Sequence, residues 1–120
     1  MKTKKANLKE VNRGVGQSAM VWVPNSSKHD LTAAEKFGIV RVVISGIANP
    51  FDLPLLGGQI TDALAEFKPD DYLLLAGNLV VNVMAVAHLL AKLPKIKLLI
   101  FNAKERVYYD RVITREDINA

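Results

Sequence analysis

Between Asn25 and Asp30 the chain reads NSSKHD, a run that sets amide, hydroxyl, ammonium, imidazole and carboxylate groups side by side. Asn25, Ser26, Ser27, Lys28, His29 and Asp30 are candidates for holding a polar ligand, and His29 with Asp30 are the candidates for acid–base work. Ser26, His29 and Asp30 do not make a hydrolytic triad. Three residues so close together on one loop cannot take up the mutual geometry on which Ser–His–Asp catalysis depends. Similar polar positions follow each later apolar run: Ser45, Gly46 and Asn49, then Gly77, Asn78 and Asn82, then Asn102. This amide- and hydroxyl-rich set suits hydrogen bonding to a nucleotide- or sugar-like ligand. A helix beginning near Asn78 would add backbone N–H groups for an anion.

Other chemistries are poorly supplied. The 120 residues include no cysteine, which removes thiolate nucleophiles, disulfides and cysteine-rich zinc sites. The two histidines, His29 and His88, lack metal-ligand spacing, so neither metal nor cofactor is expected. GVGQSA at 14–19 matches G-x-G-x-x-A, but it precedes the first strand instead of following it, the wrong context for a dinucleotide site. Asp70 and Asp71 fall at the amino end of a strand, away from the ligand-binding rim, which argues against an acidic catalytic pocket.

Charge is unevenly placed. Lys2, Lys4, Lys5, Lys9 and Arg13 stand against Glu10 alone, so residues 1–13 carry the whole formal net charge of +4 and the rest balances to zero. This basic, flexible leader (1–18) could attract nucleic acid or an acidic partner. It has no apolar core or cleavage site of a secretory signal, so cytoplasmic residence is expected.

The elements that must position these groups follow from periodicity. AMVWVP (19–24), IVRVVIS (39–45), the run 72–76, IKLLIF (96–101) and RVYYDRVI (106–113) read as strands. LTAAEKFG reads as a short helix, with Thr32 and Glu35 at capping-box spacing. Ile60, Ala63, Leu64 and Phe67 form a helical stripe, and Gly57 and Gly58 place its start near Gly58 or Gln59. The twenty residues from Tyr72 to Ala91 carry no formal charge. A membrane span there would bury Gly77, Asn78, Asn82 and His88 in hydrocarbon, so we read a buried strand, a Gly77–Asn78 turn and an apolar helix 79–92. Such a helix needs cover on its second face. A homo-oligomer is expected, with Leu79, Val83, Val86 or Leu90 at the contact.

The order predicts one α/β domain over 19–120, a three-layer sandwich with a flavodoxin- or Rossmann-like sheet. Its strand order is 2-1-3-4-5, parallel except for an antiparallel C-terminal edge. Ligands in such sheets bind beyond the carboxyl ends of the strands at the switch point, which is where NSSKHD faces Gly77–Asn78.

Trp22, Pro24, Asn25, His29, Asp30, Phe37, Gly38, Asp71, Tyr72, Leu73, Gly77, Tyr109 and Arg111, spread over about residues 20–113, resemble in order and spacing a group of short phage-encoded Rossmann-like proteins of unassigned function. The resemblance implies a viral or mobile-element origin and carries no catalytic residue with it. The functional expectation is a small, non-catalytic binding module for a nucleotide-like ligand or a host protein. The alternatives are nucleic-acid binding through the leader and a small nucleotide- or nucleoside-processing enzyme.

Overall fold

The computed structural model describes residues 19–26 and 30–119. Five strands form one sheet in the order β2-β1-β3-β4-β5: β1 Met20–Asn25, β2 Ile39–Ile44, β3 Tyr72–Leu74, β4 Lys95–Asn102 and β5 Val107–Thr114. The first four run parallel and β5 returns antiparallel to β4, as the element order predicts. A 3-10 helix, Thr32–Phe37, joins β1 to β2; α1, Leu53–Leu64, joins β2 to β3; α2, Leu79–Lys92, joins β3 to β4. A short α3, Arg115–Asn119, ends the described chain.

Right-handed crossovers explain the layering. The β1-to-β2 step moves one way along the sheet and the next two steps move the other way, so α1 and α2 share a face and the 3-10 helix takes the opposite one. The α1/α2 face holds the larger core: Trp22, Leu56, Ile60, Leu64, Leu73, Val81, Ala85, Leu89 and Ile96 are all buried. Phe67 packs there with its ring 6.4 Å from that of Trp22. The second face gathers Val21, Val23, Ala34, Leu74, Leu99 and Tyr108, so the third layer is one six-residue 3-10 turn. Full burial of each large aliphatic side chain contributes roughly 1.5–3 kcal/mol.

Several local expectations are corrected. Helix α1 starts at Leu53, not at Gly58 or Gln59. The Asp52 carboxylate accepts from Leu55 N at 3.3 Å, Asp52 O accepts from Leu56 N, and Pro54 lies in the first turn, where its missing N–H is harmless. These signals outweigh the weak propensity of Gly57 and Gly58. Thr32 does not cap a helix; Asp30 Oδ1 instead accepts from Thr32 N and Thr32 Oγ1, and the turn closes as 3-10. Strand β1 runs through Pro24 to Asn25, because the β1–β3 ladder ends at Trp22↔Leu73 and no further rung needs the missing N–H. The apolar run after Asp71 yields only three strand residues, and Leu75 is exposed.

The uncharged stretch does bend at Gly77–Asn78, where Gly77 has φ 82°, and α2 begins at Leu79. No helix among the described residues is long and apolar enough to cross a membrane. Thr114 caps α3, accepting from Asp117 N at 3.0 Å while Asp117 accepts from Thr114 N. The sheet edges are β2 and β5. Ile39 and Val42 are exposed on the first, and only Tyr108 is buried on the second.

Candidate functional site

Strand β1 delivers Asn25 to the switch point between β1 and β3, and there its amide is fully engaged. Nδ2 donates to Ile44 O at 2.8 Å and to Gly46 O at 2.9 Å, while Oδ1 accepts from Asn78 N at 2.8 Å. One buried side chain thus ties the loop after β2 to the loop after β3. Gly77 makes the approach possible. A Cβ there would lie 2.6 Å from both Cβ and O of Asn25, and φ 82° is itself a conformation that suits glycine. Ser26 adds a second tie, its Oγ accepting from Gly46 N at 2.7 Å and its N donating to Ile44 O.

Asn78 and Asn82 are engaged in the same way. Asn78 Oδ1 caps α2 by accepting from Val80 N at 2.8 Å and Val81 N at 3.3 Å. Asn82, nearly buried in the first turns of α2, accepts from Ala76 N and donates to Ala76 O and Asn78 O, both at 2.7 Å. Two N–H groups that an anion would use at this helix terminus are already paired within the chain. The predicted residues Asn25, Ser26, Gly46, Gly77, Asn78 and Asn82 are therefore brought together, and most of their polar atoms hold the loops closed.

Ser45 is exposed beside this network. Asn49 shapes the β2–α1 loop by accepting from Phe51 N. Asn102 lies apart, at the start of the β4–β5 turn, where its Oδ1 accepts from Glu105 N and its O from Arg106 N. Ser27, Lys28 and His29 lie outside the described residues, as do Lys2, Lys4, Lys5, Lys9 and Arg13 of the leader. Asp30 is exposed, and the two bonds from Thr32 hold its carboxyl below the ordinary carboxylate value. Among the described residues no group of His, Asp and Glu could hold a metal ion.

Of the residues expected at a subunit contact, Leu79 and Val83 are exposed, whereas Leu90 is buried in the core and Val86 packs against it. His88 packs along α2 with Nε2 buried; burial, and then the charge of Lys92, lowers its pKa from the ordinary 6.5.

Two features escaped sequence reading. Asp71 is fully buried beneath the amino ends of the strands, its Oδ1 accepting from Met20 N and its Oδ2 from Trp22 Nε1 and Lys68 N, all within 3.0 Å. An aspartate set directly against an apolar run was the available signal. On the 3-10 face, Asp30, Ala33, Phe101, Ala103 and Arg106 line a cavity of about 390 Å³. Nothing in their spacing indicates that they meet.

Comparison with known proteins adds one finding. A protein family described as "Phage Pam3 gp32-like protein" matches residues 15–114. No curated protein and no solved structure matches the chain.

Proposed function

The chain belongs to the phage Pam3 gp32-like protein family, and from that premise we propose that it is a non-catalytic binding module that self-associates through the apolar end of its helical layer. The observation that carries this reading is the exposure of Ile47 (102%), Phe51 (90%) and Leu79 (77%), with Val83, Leu55 and Leu53 between 49% and 60%. Both crossover helices start at the carboxyl rim and pack side by side, which sets these six residues at one end of the molecule.

From Ile47 to Thr61 the only formal charge is Asp52, and from Tyr72 to Ala91 there is none. Two copies can meet there without like-charge repulsion. A nucleic acid or an anionic bilayer would call for lysine and arginine that this surface lacks. The exposed fractions amount to roughly four whole side chains, on the order of 6–12 kcal/mol gross at 1.5–3 kcal/mol each. That is comparable to the roughly 4–15 kcal/mol that association must overcome, so removing one anchor is enough to part the copies. Non-catalysis is supported by the engagement of the switch-point amides in loop closure.

Sedimentation velocity on the full chain tests the reading. A dimer or larger species is expected at high micromolar concentration, and Phe51→Asp and Val83→Asp are each expected to give monomers with an unchanged circular-dichroism spectrum. A monomeric wild type under those conditions refutes it.

A further inference from the structure

We propose that Gly58 is the crossing point of the self-association surface, where helix α1 of a second copy packs across α1 of the first, antiparallel about a two-fold axis. The inference rests on the self-association proposed above and assigns the residue that lets the two helical layers approach.

The first argument is that nothing within the described chain accounts for a glycine here. Gly38, Gly46 and Gly77 have positive φ, and a Cβ at Gly57 would lie 3.7 Å from the end of Met84. Gly58 has neither reason. It sits inside α1 without a positive φ, and a Cβ there would meet no described atom within 4 Å. Glycine inside a helix is destabilising relative to alanine, because it loses more backbone freedom on folding. The fold bears that cost and draws no packing from it. What a bare helix surface offers is close approach, since the distance between two helix axes is set by the side chains at their contact.

The second argument is place. Gly58 is exposed and lies two residues from the buried Ile60, about 160° away around the helix, so it faces away from the sheet. Leu55 and Asp62, three and four residues away, share that side, and Leu55 is one of the exposed apolar residues of the self-association surface. The glycine is therefore a flat spot within an apolar patch.

The third argument is charge, which sets the direction of the partner. A two-fold interface brings the same patch of both copies together. Parallel helices would set Asp62 against its own copy, a like-charge contact that disfavours association. Antiparallel helices crossing at Gly58 instead set Asp62 against the partner's Pro54 and Leu55 against the partner's Thr61. Pro54 and Thr61 are exposed and uncharged.

Sedimentation equilibrium on the full chain, with thermal unfolding of chain dilute enough to be monomeric, tests the assignment. Dilute Gly58→Ala is expected to melt about 2–6 °C above wild type. The same variant is expected to dimerise at least about three-fold more weakly, so its two readouts move in opposite directions. Gly58→Leu, which puts a large side chain at the crossing, is expected to weaken the dimer by at least about thirty-fold. A dimeric wild type with undiminished association of either variant overturns the crossing and leaves self-association standing. A lower melting temperature for dilute Gly58→Ala also overturns it, by showing that the fold itself needs the glycine. A monomeric wild type overturns both readings.

Discussion

Replacing Asn25 by alanine tests the claim that the switch point is a structural tie. The side chain is 4% exposed and makes three bonds of 2.8–2.9 Å. Each bond contributes about 1 kcal/mol net, and a partner left buried and unpaired costs about 1–3 kcal/mol. The three partners do not suffer equally. Ile44 O keeps its bond from Ser26 N, and Gly46 is exposed, so its carbonyl can be rehydrated. Asn78 N, half-buried at the start of α2, bears most of the penalty. The expected loss is about 2–4 kcal/mol, a large share of the roughly 5–15 kcal/mol of a typical domain. Asn25→Asp fills the same volume but turns an oxygen toward two carbonyl oxygens, and is expected to destabilise at least as much. Urea unfolding at pH 7, followed by the fluorescence of Trp22, the only tryptophan, reads the change. A midpoint shift without a change of slope is the expected form. A loss under about 0.5 kcal/mol, the level of an ordinary surface substitution, would refute the tie.

Asp71→Asn puts an amide donor against donors from Met20, Trp22 and Lys68 and is expected to cost about 2–4 kcal/mol, with altered Trp22 emission in the native state; unchanged stability and spectrum would exclude the role given to this carboxylate. His88 has a lowered pKa in the folded chain, so well above pH 6.5 both folded and unfolded forms are neutral and it has no effect. As pH falls below 6.5 the unfolded chain takes up the proton first, so stability should decline. His88→Gln should remove that part of the decline between pH 7 and 5.5; parallel curves for the two proteins would contradict the assignment.

The arrangement of strands was legible because it depends on coarse features. Four apolar runs separated by helix-length segments require right-handed crossovers, and the short NAKER link requires a hairpin. The start of α1 was not legible, because the glycines at 57 and 58 speak against a helix that Asp52 and Pro54 together secure. The rim residues were found by type and place, but the same amides that suit a ligand also suit the chain's own carbonyls and N–H groups. Only the Gly77 contact shows how closely they are packed. Asp71 and Arg106 were missed for different reasons: one is a charge whose partners come from strand β1 and from the turn that leads into Asp71 itself, and the other adopts a backbone conformation that its residue type does not announce.

The two margins of the sheet are unequally guarded against growth. The outer margin of β5 presents Tyr109, Asp110 and Arg111, and charges there discourage a foreign strand from adding. Strand β2 presents IVRVVI with Arg41 as its single charge, and that guanidinium is drawn inward over the Trp22 ring at 5.1 Å. Crowded copies of this protein, if they ever polymerise, should therefore do so from the β2 side, by templated strand addition.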